Sequence, residues 1–167
     1  MLPKINVQLG LTPFDIVDKF KNGAPVDLIG MARALKIDVD QKASFPDPKT
    51  SGSIKKLHDG TYLISVNGNH SDNRKRFTIA HELAHFLLHK DIIDRKGLVD
   101  DAMYRSGASR EEEYQANRMA AELLMPKSLV VSFWNAHVRS SGILAKVFGA
   151  SEEAVNIRLR QLGLSEG

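Results

Sequence analysis

The chain predicts an α+β fold, a helical body around a small curled sheet of antiparallel or mixed strands, with a helical appendage at the C-terminal end. Three observations carry this. Stretches 73–89 and 110–125 repeat apolar residues at the 3.6-residue period of an amphipathic helix. Two short strand-like runs, 53–57 and 61–67, flank His58-Asp59-Gly60, and Asp-Gly suits a tight hairpin turn. The stretch 143–162 breaks at Gly149-Ala150-Ser151 into two short helical pieces, as in a helix-turn-helix. The length of 167 residues fits one compact domain with a small extension. We divide it as a main domain over 1–138 and an appendage packed on it over 139–167.

The elements follow in order. Thr12 caps a first helix with Pro13 at its first position, running to about residue 21. Gly23 and Pro25 end it, and a second helix spans 26–36. A short strand is expected over 37–40, then a loop over 45–52 with Pro46, Pro48 and Gly52. After the hairpin, 67–72 is a polar turn, and the strongest helix follows over 73–89. The stretch 91–109 reads as a long functional loop with a short extended piece near Met103-Tyr104-Arg105. Ser109 with Glu112 three residues on forms a capping box for the next helix. Pro126 stops that helix and starts another through about residue 138.

Composition excludes several classes of protein. There is no cysteine, so thiol catalysis, disulfides and Cys-ligated zinc are ruled out. The surplus of 23 Lys+Arg over 20 Asp+Glu is too small to argue for nucleic acid. No apolar run has the length of a membrane span, and the N-terminus lacks the apolar segment of a secretory signal, so a cytoplasmic location is expected. Any metal must be held by histidine and carboxylate.

His81-Glu82-Leu83-Ala84-His85 is an H-E-x-x-H motif inside a predicted helix. Positions i and i+4 lie about 40° apart around a helix and about 6 Å along it, so the two imidazoles can converge on one ion. Glu82 sits beside them as general base. Zn²⁺ lowers the pKa of a bound water to about 7, and the carboxylate takes its proton as it attacks a carbonyl. Ile79, Leu83, Phe86 and Leu87 form an apolar stripe that buries the same helix.

A catalytic zinc takes three protein ligands and keeps one position open. His89 lies about 12 Å along the axis from His81 and cannot share an ion with it, so it is read as structural or at the cleft edge. The extended motif of the metzincins is excluded, because Leu88 and Asp91 stand where it needs Gly and His. The better candidate is a carboxylate on the second helix. There Ala116, Ala120, Leu123 and Leu124 define the inward stripe, and Glu113 and Asn117 extend it in phase. Glu111 points away and Glu112 serves the cap. A carboxylate on an inward face must be paired or metal-bound. Asn117, one turn on, is placed to hydrogen-bond a ligand histidine.

Arg76-Phe77-Thr78-Ile79-Ala80-His81-Glu82-Leu83-Ala84-His85-Phe86-Leu87-Leu88-His89, followed by Glu113-Tyr114-Gln115-Ala116-Asn117-Arg118-Met119-Ala120-Ala121-Glu122-Leu123-Leu124-Met125-Pro126, resembles the ImmA/IrrE family of zinc metallopeptidases. The chain departs from the family pattern at Met119, where phenylalanine is usual, a mild apolar swap. The resemblance implies a zincin-like fold with a gluzincin-like site. His81, His85 and Glu113 would hold one Zn²⁺ (Mn²⁺ is the alternative), with Glu82 as general base and acid. It also implies a cytoplasmic metalloendopeptidase that cleaves a helix-turn-helix repressor or antitoxin encoded nearby and so relieves repression. The competing reading is a regulatory module that sequesters a partner, its metal structural or absent.

The tetrahedral intermediate needs a donor besides zinc, and Tyr104, Arg105 and His137 are the candidates, with Tyr104 preferred for its place between the two metal helices. The appendage is not expected to bind DNA. Over 141–167 its three basic residues are matched by three acidic ones, and its second helix opens on Glu152 and Glu153, the wrong sign for phosphates.

Overall fold

Local capping chemistry sets most of the helix starts in the computed structural model, which describes residues 10–100 and 108–164. Helix α1 (Pro13–Asp18) opens with a capping box. Thr12 Oγ1 accepts from the Asp15 N–H, and the Asp15 carboxylate accepts from the Thr12 N–H. Asp27 caps α2 (Leu28–Ala34) and Ser71 caps α3 (Asp72–Leu88). Ser109 and Glu112 form the expected box at the start of α5 (Arg110–Leu124). Helix α6 (Lys127–Asn135) starts after Pro126, and Ser140 and Ser151 cap α7 (Ser141–Phe148) and α8 (Glu152–Gln161).

The sheet is mixed and open, with strand order β1 (Ile37–Ala43), β3 (Tyr62–Asn67), β2 (Gly52–Lys56), β4 (Leu98–Asp100). Strands β2 and β3 form the expected hairpin, with Ile54 opposite Ile64. Strand β1 runs parallel to β3. Tyr62, Ile64 and Val66 alternate inward on β3, which is why that run was legible as a strand. At Gly52 a Cβ would stand 2.6 Å from the Thr78 methyl, so glycine lets β2 pass close to α3.

The structure corrects the expectation of a structureless loop after α3. Helix α4 (Lys90–Lys96) follows at once, buries Ile92 and Ile93, and ends at Gly97, whose φ is 73°. Strand β4 then pairs antiparallel with β2 and covers its edge. One adjacent pair of isoleucines over so few residues carries no helical period, so the element was invisible to pattern reading. The extended piece expected near Met103 lies outside the described residues.

The core is one continuous cluster. Helix α3 turns Ile79, Leu83 and Phe86 inward, and the Phe86 ring meets Tyr62 edge-on with centroids 4.9 Å apart. Leu144, Phe148, Val155 and Leu159 of the C-terminal helices belong to the same cluster. Two arginines tie those helices down. Arg76 Nη2 donates to the carbonyls of Val26 (3.0 Å) and Phe148 (3.4 Å), and burial lowers its pKa from the ordinary value. Gly149 is left-handed (φ 63°), and a Cβ there would meet Arg76 Nε at 2.6 Å. Arg158 is buried, donates from Nε to the Met125 carbonyl at 3.0 Å, and pairs with Glu122. Among the described residues no helix is long and apolar enough to cross a membrane.

Strand β3 is tied to α4 by the Tyr62 hydroxyl, which donates to Asp94 Oδ1 at 2.6 Å, while Lys90 Nζ reaches Oδ2 at 3.3 Å. The Tyr62 bond foremost holds the Asp94 carboxyl below its ordinary pKa. A lowered carboxylate pKa adds stability above the unfolded value of about 3.9 and loses it as pH falls through the folded value. We expect Tyr62→Phe to cost about 1 kcal/mol at neutral pH in urea unfolding. The gap from the parent should close as the solution is acidified through the aspartate range.

Candidate metal centre

The site forms where α3 packs on α5. His89 meets Gln115, the middle of α3 meets Glu113, and Phe77 shares clefts with Asn117 and Leu124, so the two helices run antiparallel. On α3 the stripe 77, 80, 81, 84, 85 carries both histidines together with Ala80 and Ala84. On α5 the facing stripe carries Glu113, Ala116 and Ala120. All four alanines are fully buried, and their small side chains let the two backbones come close.

The Glu113 carboxylate divides between the imidazoles. Its Oε1 lies 2.9 Å from His85 Nε2 and its Oε2 lies 3.3 Å from His81 Nε2. Both histidines are buried and Glu113 is half-buried, and one ligand atom from each falls within 4.8 Å of the others. Zinc–ligand bonds of 2.0–2.2 Å at tetrahedral angles put donor atoms about 3.3 Å apart, so this spacing fits one such ion. The chemistry of the donor set fits as well. Two buried imidazoles and a carboxylate face a common point, and neither ring nitrogen of His81 has a hydrogen-bond partner among the described residues. Glu82, between the histidines in sequence, is fully buried.

His89 is buried at the end of α3, where its Nδ1 lies 2.8 Å from Nδ1 of His85 and its Nε2 lies 2.9 Å from Gln115 Oε1. It does not compete for the ion and instead holds the back of a candidate ligand. Glu112 stays with the helix cap, its pKa lowered chiefly by the Ser109 N–H. A cleft of about 400 Å³ lies one helical turn along the α3–α5 seam, beside Phe77 and Asn117. The Phe77 and His81 ring centroids are 6.2 Å apart. Tyr114, Ala121 and Met125 of the α5 segment line the cleft, and Ala154, Ile157 and Gln161 of α8 form the opposite wall.

A sequence model of the peptidase M78 family, described as the IrrE N-terminal-like domain, matches residues 34–160. The chain belongs to this family. No curated protein matches the chain. The matched span of the IrrE-like domain runs from the end of α2 to α8, so it takes in both metal helices and most of the appendage. The family resemblance read from the two motif helices is thereby confirmed, and the donor triad fits a zinc peptidase.

Of the residues singled out in sequence, His81, His85 and Glu113 each offer one ligand atom within 4.8 Å of the others, and Glu82 is buried on the same helix as the two histidines. Asn117 is exposed on the cleft and makes no hydrogen bond to either histidine. Tyr104 and Arg105 lie outside the described residues. His137 is exposed at positive φ (65°) in the turn after α6. Gln115 and the α8 wall were missed. Gln115 carries no motif, and the wall requires two elements distant in sequence to meet.

Zinc titration against a chromophoric chelator should find one high-affinity ion per chain. We expect His81→Ala and Glu113→Ala each to weaken binding by more than the roughly 10–100-fold that outer contacts cost. An unchanged affinity in either variant would remove that side chain from the centre.

Proposed function

We propose that the protein is a zinc-dependent endopeptidase of the cytoplasm that cleaves a helix-turn-helix repressor or antitoxin and so relieves repression. The observation that carries the reading is the convergence of His81, His85 and Glu113 beside buried Glu82 in a chain of this peptidase family.

Zn²⁺ bound at the triad would supply a Lewis acid for the scissile carbonyl and acidify a water molecule at neutral pH. Glu82 lies between the two histidines in sequence, next to His81, and is shielded from solvent. Its carboxylate takes the proton of the attacking water and hands it to the departing amine, so one residue serves as base and then acid. Glu113 and the two histidines would hold Zn²⁺ with one negative ligand charge in total, so the site would keep a net positive charge toward the carbonyl.

The substrate must run along the α3–α5 seam to bring its peptide bond to the triad. The cleft one turn away is lined mainly by apolar side chains, with exposed Tyr114 and Ile157 at its edges, and it suits an apolar residue of the substrate near the scissile bond. The cleft also bears on the appendage. The α8 face of Ala154, Ile157 and Gln161 is turned to this cleft, which favours a protein partner over DNA.

The direct test incubates the protein with the helix-turn-helix repressor encoded beside its gene. Cleavage is expected with zinc and not with a chelator. Glu82→Gln should retain the metal and lower the cleavage rate by at least about a thousandfold. Unaltered biological output from the Glu82→Gln protein would favour partner sequestration and overturn the hydrolytic reading. In a separate arm, Ile157→Asp should reduce cleavage at least tenfold with zinc affinity unchanged. Equal rates would remove the cleft from the substrate path.

A further inference from the structure

We propose that Arg118 is a specificity-determining residue, selecting substrate segments that carry an aspartate or glutamate beside the apolar residue that fills the α3–α5 cleft. The inference rests on the peptidase reading of the triad and names the class of substrate that this site takes.

Arg118 is exposed on α5 at the rim of two clefts. One is the cleft walled by Phe77, Met125 and Ile157, and among the described residues that line it Arg118 alone is charged. The other lies on the far side of Arg118, beside Leu88 and Met119. The Tyr114 hydroxyl, one turn back, accepts from Arg118 Nη1 at 3.2 Å. The guanidinium carbon stands 5.8 Å from the centroid of the same ring, so the cation is held at the cleft mouth.

An arginine on a helix surface is ordinarily answered by a carboxylate three or four residues away. Tyr114, Gln115 and Ala121 occupy three of those places around Arg118, and none is acidic. Glu122 occupies the fourth and is drawn to other cations. Its Oε2 pairs with Arg158, and its Oε1 lies 3.5 Å from Lys21 Nζ. The remaining carboxylates of α5 are engaged near its start. Glu111 faces the Gln115 amide at 3.5 Å, Glu112 serves the cap, and Glu113 lies against the two imidazoles. Among the described residues Arg118 makes no ion pair, and a substrate carboxylate supplies the charge it lacks.

Position gives the register. Arg118 is five residues past Glu113, about 7.5 Å along the helix axis. An extended substrate advances about 3.3 Å per residue. An acidic side chain two or three residues from the scissile bond therefore reaches the guanidinium while its apolar neighbour enters the cleft. Arginine binds a carboxylate through two parallel N–H bonds, and the apolar wall beside it reduces screening by salt.

Zinc-loaded protein digests a library of random peptides, and mass spectrometry reads the cuts that a chelator abolishes. Asp and Glu should exceed Lys and Arg about fivefold at the second or third residue on one side of the cut. Arg118→Lys should keep the sign of this preference at a smaller size. Arg118→Glu should reverse it, an outcome that misfolding does not produce. A second arm retains the same library on immobilised Glu82→Gln protein, with and without the Arg118→Glu change, and needs no cleavage. Chelator-sensitive cuts with no charge preference, or with one that Arg118→Glu leaves in place, overturn the proposal and keep the peptidase reading. Retained peptides that are acidic on the first protein and basic on the second, with no cuts by the parent, keep the proposal and remove the peptidase reading. A library neither cut nor retained by charge overturns both.

Discussion

The antiparallel contact of α3 with α5 depends on four small side chains, Ala80 and Ala84 on one helix and Ala116 and Ala120 on the other. A carboxylate on a short stem must reach two imidazoles across a helix interface. Glu113 does so with contacts of 2.9 and 3.3 Å, one to each oxygen. Larger residues at those positions would push the helix axes toward the upper end of the 8–10 Å packing range, and the carboxylate would fall short of at least one ring. The rest of the molecule serves this contact. The sheet buries the opposite face of α3 through Ile79, Leu83 and Phe86, and the capping box at Ser109 sets where α5 begins.

Much of this was legible in the chain because it is local. The spacing of His81 and His85 is a property of one helix, and the phase of Glu113 against Ala116 and Ala120 is a property of another. Capping at Thr12 and Ser109 is written within four residues each. The hairpin was visible because β3 alternates and Asp59-Gly60 supplies the turn. What stayed hidden was non-local or too short to show a period. Helix α4 buries only Ile92 and Ile93, and β4 is three residues long and exists because β2 has an edge to fill. Strand β1 pairs in parallel with β3, a partnership no local pattern encodes.

Asn117 and Gln115 make the same distinction within the site. Helical phase pointed to Asn117 as support for a ligand, since it lies one turn from Glu113. Phase fixes the direction of a side chain but not the partner at its end. Because α5 runs antiparallel to α3, residues after Glu113 on its stripe move away from His85 and toward Phe77, where Asn117 meets the cleft. Support for His85 comes instead from its own helix, through His89 at i+4, and from Gln115 on the flank of α5.

The appendage gains its significance from the pair Arg158–Glu122. An ion pair with one partner buried and the other partly exposed is weak ground for stability, since apolar residues of equal size often hold two helices as well. Its value here is directional. The guanidinium donates both to the Met125 carbonyl and to a carboxylate on α5, and these bonds fix the rotation of α8 about its axis. That rotation decides which α8 face meets the cleft, and Ala154, Ile157 and Gln161 occupy it. Glu122 also lies 3.5 Å from Lys21 and accepts from the Lys127 N–H, so one carboxylate joins four segments behind the site. A helix pair that looks like a DNA reader in sequence is thus locked by charge onto the metal helix, with its free face committed to one wall of the cleft.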